Sequence, residues 1–325
     1  MGSTPHSFRF SYVNSLGLWN QAYLPFLTKL HLKKILQQES RKAGCMRQKI
    51  FISFLAKASS FHHDLNPWLT MAENESGILR RTRQSTVYII ASTNRTGSYL
   101  LCEGLDCTNI AGRPTEALSP EYRHELCRFL YGREADFSVS IKTVIRHSMT
   151  PNGVFGAKVH WDQVEEIALE SGYEGAPYVF LLDEFPGARY IHLSRRNTLA
   201  QAISLYIAQQ TEEWWRLTGL KNPYKRSDPP IFNAVEILRL ERNLIWQRDA
   251  WEAFFKVEGI TPLRMEYEAL AADYRGEVER VLDFLGLESA IAQAIPEPRL
   301  QKQGDELNAL WEHWLKLPQE ALAIA

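Results

Sequence analysis

Cysteine is scarce in this chain. There are four among 325 residues (Cys45, Cys102, Cys107 and Cys127), with no Cys-x-x-Cys pair and no histidine at ligand spacing. A disulfide framework and a structural metal site are therefore weak readings, and reduced thiols of a cytosolic protein are the expectation. Long hydrophobic runs are missing too. Neither "LGLWNQAYLPFLTKLHLKKIL" nor "IFISFLAKASS" reaches the roughly 18 uninterrupted apolar residues expected of a membrane-spanning helix. The stretch from Met46 loosely mimics a signal peptide, but its apolar run is short and it is internal. The chain also lacks an excess of either charge sign: the net charge is −1, which argues against bulk nucleic-acid binding. No internal repeat or low-complexity tract is present.

What charge there is sits unevenly. Residues 1–85 carry 12 Lys/Arg against 4 Asp/Glu, whereas the remainder carries 25 against 34. We read 1–85 as a basic N-terminal extension, with Met71 as an alternative start, and 86–325 as one doubly wound domain. From residue 86 the pattern is orderly. "TVYIIAS" is short, β-branched and apolar, as a strand buried on both sheet faces should be. "SYLLCEGL" follows as a helix, and "SPEYRHELCRFLYG" has a Ser N-cap, Pro in the first turn and a closing glycine. "GVFGAKVHW", "ARYIHLS" and "PLRMEY" read as further strands. "DQVEEIALESG", "NTLAQAISLYIAQQTEEWW", "AVEILRLERNLIWQRDAWEAFFKVEG" and "RGEVERVLDFLG" read as helices. Strands alternating with helices predict an α/β fold with a central parallel sheet flanked by helices, a three-layer sandwich of P-loop-like form. Ligands in such folds bind at the carboxyl ends of the strands.

The polar turn after the first strand reads "STNRTGSYLL", residues 92–101. A strand entering a helix through a glycine-containing turn leaves backbone N–H groups at the helix start, which suits an anion. The nucleoside triphosphate form of this turn ends Gly-Lys-Ser/Thr, and here no lysine precedes Ser98. A second candidate anion site lies in "HLSRRNTLAQAIS", where Ser204 follows Arg196 by eight residues. At about 1.5 Å per residue this places the serine some two turns into the helix, within reach of an arginine sharing one anion. Surface ion pairing explains the two arginines as well. Together the sites match a nucleotide charged at both ends, although the loop alone does not separate sulfuryl from phosphoryl transfer.

In this order, "YIIASTNRTGSYLLCEGLDCTNIAGRPTEAL", "PNGVFGAKVHW", "YIHLSRRNTLAQAISLYIAQQTEEW", "MEYEAL" and "QKQGDELNALWEHW" resemble successive blocks of the trehalose 2-sulfotransferase-like bacterial carbohydrate sulfotransferases, spanning residues 87–314. The resemblance implies a sulfuryl donor, 3′-phosphoadenosine 5′-phosphosulfate (PAPS). Arg95, Thr96, Gly97 and Ser98 would hold its phosphosulfate, and Arg196 and Ser204 its 3′-phosphate. Thr96 and Tyr99 stand where the family more often has serine and threonine, and "AL" after Glu116 where an aromatic pair is commoner. The acceptor implied is a carbohydrate or glycolipid hydroxyl, with no metal. A homodimer and a cytosolic site are implied as well, and the basic extension suits the anionic inner face of the membrane.

An acceptor hydroxyl needs a general base. Glu116 matches the family's Gly-x-Pro-x-Glu glutamate. His160, ending "AKVHW", resembles the Lys-x-His of animal cytosolic sulfotransferases and is the rival, while Lys158 reads as structural. Lys302, Asp305 and Trp311 are candidates for the pocket cover or a capping helix. Trp214 and Trp215, on the expected exposed end of a long helix, suit sugar stacking or core packing. Two other readings stay open: a catalytically silent nucleotide-binding module and a P-loop phosphotransferase-like protein.

Overall fold

The computed structural model describes residues 86–218, 228–304 and 306–317. All lie in Gly77–Ala325, one of the two units into which the chain divides. The basic extension and its expected boundary at 85/86 lie outside the described residues.

Four strands, β1 (Thr86–Ser92), β2 (Val154–His160), β3 (Arg189–Ser194) and β4 (Leu263–Glu266), pair in parallel in the order β2-β1-β3-β4. The register sets Ser92 beside His160 at the carboxyl end of the β1–β2 pair. Parallel pairing demands crossover connections. Between β1 and β2 run α1 (Ser98–Cys107), α2 (Pro120–Tyr131) and α3 (Phe137–Ser148). Between β2 and β3 come α4 (Trp161–Ser171), a 3-10 turn at Pro177–Val179 and α5 (Phe180–Glu184). Helices α6 (Thr198–Thr211) and α7 (Ala234–Val257) lead to β4. After it come α8 (Tyr267–Ala272), α9 (Tyr274–Leu285), a second 3-10 turn at Ser289–Ala294 and α10 (Glu306–Lys316).

Side chains alternate across a strand, so each strand feeds two cores. Tyr88 and Ile90 of β1 and Ile191 and Leu193 of β3 pack with Leu101, Leu105, Val278 and Leu282 of α1 and α9. On the opposite face the Tyr190 ring meets Phe254 and Phe255 edge-on. Trp251 stacks on Phe255 and donates its Nε1–H to the Ser92 carbonyl at 3.0 Å. The result is the expected three-layer α/β sandwich with a central parallel sheet.

The chain leaves β1 toward β2 and leaves β3 in the opposite direction, toward β4. The adjacent carboxyl ends of β1 and β3 therefore form a topological switch point, where a crevice opens in folds of this kind. Both anion segments read from the sequence emerge there.

Two segments differ from the sequence reading. Helix α6 stops at Thr211 and does not run through "TEEWW". The Thr211 hydroxyl turns back onto the Ile207 carbonyl and accepts the Glu213 N–H, and Glu212 takes a left-handed conformation, φ 56°. Trp214 and Trp215 consequently lie beyond the helix, and Trp215 is buried at 6% exposure. Helix α3 has no counterpart in the sequence reading, its stretch "FSVSIKTVIRHS" being rich in β-branched and polar residues. Asp136 starts it by capping the Val139 N–H at 2.8 Å, and its Ile141, Val144 and Ile145 face is buried.

Candidate active site

The loop after β1 is braced from within and from below. Thr96 Oγ1 donates to the Thr93 carbonyl at 2.9 Å. Gln201 Nε2 of α6 donates to Thr93 Oγ1 at 2.9 Å and to the Asn94 carbonyl at 2.6 Å. Arg95 and Gly97 both have positive φ, 66° and 79°. A Cβ at Gly97 would meet the Tyr267 ring at 2.3 Å, so glycine is required there by conformation and by close approach. Helix α1 then starts at Ser98, with Thr96 and Ser98 buried and no side chain capping the helix. A helix start of this kind directs backbone N–H groups and a positive dipole end outward, as an anion requires.

Arg95 spans the crevice. Its Nε donates to Ser204 Oγ at 3.0 Å, its Nη1 to the Trp214 carbonyl and its Nη2 to Gln303 Oε1. The structure thus brings Ser204 to Arg95, not to Arg196. Arg196 is exposed, 65% for its side chain, and pairs with Glu266 at 3.1 Å and Glu268 at 3.8 Å. Its neighbour Arg195, not singled out from the sequence, faces the loop. Arg195 Nη1 reaches the Arg95 carbonyl at 3.4 Å, and its guanidinium lies 4.8 Å from the centroid of the Tyr267 ring. Its Nε is buried without a hydrogen-bond partner. Which of two successive arginines turns inward depends on the pleat at the end of β3, and spacing alone does not reveal it.

Beside the loop lies a buried polar cluster. The segment carrying Glu116 is laid against β2 by a Thr115↔Ala157 bridge and by the Lys158 N–H donating to the Thr115 carbonyl at 2.7 Å. Glu116 Oε1 accepts from Lys158 Nζ at 2.6 Å and from the Tyr99 hydroxyl at 2.7 Å, and lies 3.7 Å from His160 Nε2. Oε2 accepts from Gln163 Nε2 at 2.8 Å. His160 Nδ1 and Ser92 Oγ are 3.0 Å apart, a contact prepared by the β1–β2 register. Lys158 Nζ also sits 3.3 Å from the centroid of the Tyr99 ring. The sequence reading named Glu116 and His160 and left Lys158 as structural. It offered no signal for the Tyr99 contacts, which depend on how the first turn of α1 faces Glu116 and Lys158.

The electrostatics follow from this crowding. Burial alone would raise the Glu116 pKa, but Lys158 and His160 and the hydrogen bonds from Lys158 and Tyr99 outweigh it and hold the pKa down to about 2. Burial, followed by the Lys158 charge, lowers His160 to about 3, so its ring is neutral near neutrality. Burial and then the Glu116 charge raise Asp162, which accepts from Asn94 Nδ2 at 3.0 Å, to about 6. The site holds a carboxylate, a neutral imidazole and an ammonium out of water, next to an anion-directed loop. That arrangement suits proton removal from a hydroxyl during transfer of an anionic group.

The closing segment approaches the crevice through Gln303. Glu103 of α1 accepts from the Arg299 and Leu300 N–H groups at 3.1 and 3.2 Å, and Gln301 N–H reaches the Arg216 carbonyl at 2.8 Å. Lys302 is exposed, and Trp311 is a core anchor at 2% exposure, packed edge-on against Phe232. Asp305 lies outside the described residues.

A braced strand-to-helix loop at the switch point of a parallel sheet, with a buried carboxylate beside it, is the layout of a P-loop-like α/β protein. The Stf0 sulphotransferase family model matches residues 87–316, and the chain belongs to that family, whose members are enzymes transferring sulfate. The chain is similar to the trehalose 2-sulfotransferase of Mycobacterium tuberculosis (strain Erdman), 28% identical over 252 residues, 69% of this chain and 92% of that protein. It is likewise similar to the trehalose 2-sulfotransferase of Mycolicibacterium smegmatis, 28% identical over 257 residues, 70% of this chain and 92% of that one. Among solved structures, the sulfotransferase domain from the Synechococcus PCC 7002 olefin synthase aligns with a TM-score of 0.36 and 17% identity, over 75% of this chain and 92% of that domain.

Proposed function

We propose that the protein moves a sulfuryl group from PAPS to a carbohydrate hydroxyl, of trehalose, a glucose-containing glycolipid or a similar glycan, in line and without a metal. The observation that carries this reading is the buried Glu116 carboxylate, held by Lys158 and Tyr99 next to the loop of residues 93–97.

The residues present suit the donor. The start of α1 has no side-chain cap, and Arg195 Nε is a buried donor without a partner. Arg95, Thr96, Gly97 and Ser98 hold the phosphosulfate, and Arg196 and Ser204 hold the 3′-phosphate. Arg196 turns to that phosphate from exposed ion pairs, which are worth only about 0–1 kcal/mol each. Ser204 passes from Arg95 to the same anion. PAPS supplies a sulfate joined to a phosphate, whose departure leaves charge on the bridging oxygen. The N–H groups of the loop, Arg95 and Ser98 spread that charge. Glu116 takes the proton of the acceptor hydroxyl, and His160, 3.7 Å away, is the alternative base. Dispersal of charge over Lys158 and Tyr99 keeps Glu116 ionised and ready, at the cost of basicity.

No helix among the described residues is long and apolar enough to cross a membrane. The reading places the protein in the cytosol as a homodimer, with the basic segment 1–85 against the inner face of the membrane when the acceptor is lipid-linked. The test is transfer of labelled sulfate from PAPS, in the presence of a chelator, to trehalose and to glucolipids in vesicles. A sulfated sugar product is the expected result. Nucleotide binding without transfer to any glycan would favour the silent module instead.

A further inference from the structure

Arg195 carries a half-buried charge that the surrounding side chains do not match. Among the described residues its guanidinium makes one hydrogen bond, from Nη1 to the Arg95 carbonyl, and no ion pair. Lys158 and Arg123 show the usual arrangement of a buried cation. Their side chains are fully buried, and each holds a carboxylate, Glu116 at 2.6 Å and Glu170 at 2.5 Å. The exposed neighbour, Arg196, has two carboxylates. The carboxylates whose charge reaches Arg195 serve other donors. Glu268 accepts from the Arg196 and Asn197 N–H groups at 3.2 and 3.4 Å. Glu312 accepts from Lys316 Nζ at 2.6 Å and from Asn197 Nδ2 at 2.9 Å. Burial lowers the Arg195 pKa, and Tyr267, Glu268 and Glu312 offset this only in part.

What Arg195 does have is a fixed place at the anion loop. Nη1 is anchored on the carbonyl of Arg95, the residue whose φ of 66° turns the loop. The guanidinium lies 4.8 Å from the centroid of the Tyr267 ring, and the same ring packs so closely on Gly97 that a Cβ there would meet it at 2.3 Å. We propose that Arg195 is the counter-charge to the phosphate at the 5′ end of the bound donor, with the Tyr267 ring setting its distance from the loop. This rests on the sulfotransferase reading above. Both anchors involve residues 95 and 97, so the charge belongs to the 5′ end and not to the 3′-phosphate. Nε is enclosed, and the outer Nη2, with no hydrogen bond among the described residues, meets the anion. The phosphate then lies between the N–H groups of the loop and a guanidinium, and charge that builds on it as sulfur departs is shared by both.

The test uses the full chain with Arg195→Met, which keeps an unbranched side chain against Tyr267 and removes the charge. Titrated with adenosine 3′,5′-bisphosphate, the variant should bind about tenfold or more weakly than the wild type, as expected when a charged donor to phosphate is lost. Adenosine 3′-monophosphate, which lacks the 5′ phosphate, should bind within about twofold of its wild-type affinity, because Arg195 stands at the other end. The melting temperature without nucleotide should stay within about 4 °C, since removing an unmatched charge costs little. A residue that only braces the loop would lower that temperature and weaken both nucleotides alike. Arg195→Gln repeats the measurements should the first variant not fold. Unchanged bisphosphate affinity, or equal losses for the two nucleotides, would overturn the assignment and leave the sulfotransferase reading standing. Wild-type protein that does not bind the bisphosphate would overturn both.

Discussion

Glutamine at Glu116 is expected to lower turnover by about 10²- to 10⁴-fold, the range typical of losing a positioned general base. Binding of adenosine 3′,5′-bisphosphate should change little, because Glu116 touches Lys158, Tyr99 and Gln163 and not the loop. The split is the informative part. A loss of turnover with unchanged product affinity marks a group acting on the acceptor proton, whereas a matching loss of both would mark a collapsed site. The same carboxylate carries a pH signature. Its folded pKa lies near 2, below the ordinary 4.5, so the unfolded state binds the proton first. The stabilisation from its ionised form is complete above about 4.5 and is lost as pH falls toward 2, on the order of 3 kcal/mol in all. His160, held near 3 against an ordinary 6.5, adds a loss in the same direction that begins at higher pH. Urea unfolding between pH 7 and pH 3 should therefore fall more steeply for the wild type than for Glu116→Gln.

Lys158→Met is the second large effect. The Lys158 side chain is fully buried and that of Glu116 is 7% exposed. Removing the ammonium leaves a buried carboxylate without its counter-charge, and breaking such a pair costs about 3–5 kcal/mol. For a domain of this size that corresponds to a fall in Tm of roughly 10 °C. Methionine fills a similar volume, so the loss reports charge and not a cavity. The double change Lys158→Met with Glu116→Gln should recover much of the stability, since neither charge then needs a partner. Purely additive losses in thermal melts of the singles and the double would show that the pair is not coupled.

The sheet was legible because its strands are short, apolar and β-branched, and because helices such as α2 open and close on residues with a geometric reason. Ser119 accepts the Tyr122 N–H, and Gly132 takes the left-handed position that ends α2, as the sequence pattern expects. The anion loop and His160 were legible for a local reason, since both lie at strand ends, whereas Glu116, between α1 and α2, was legible only through its match to the family's Gly-x-Pro-x-Glu pattern. The side-chain pairings were not. Arg95 meets Ser204, Trp214 and Gln303, which are separated from it by 109, 119 and 208 positions. No periodicity encodes contacts at that range. The orientation of Arg195 and Arg196 depends on how β3 leaves the sheet, and the stop of α6 at Thr211 depends on a hydroxyl turning back to its own helix. Tyr99 reads as a departure in the loop, whereas its place on Glu116 emerges only when the start of α1 is set against β2.

The central claim is that the loop of residues 93–97 and the arginines beside it receive the nucleotide end of PAPS. Calorimetric titration of adenosine 3′,5′-bisphosphate in the presence of a chelator, on the wild type, Arg95→Ala and Arg196→Ala, tests it most directly. The account predicts metal-independent binding by the wild type. It also predicts a loss of about 10-fold or more in each variant, as expected when a charged hydrogen-bond donor to phosphate is removed. Correctly folded wild-type protein that does not bind the bisphosphate, or binding unaffected by either substitution, would contradict it.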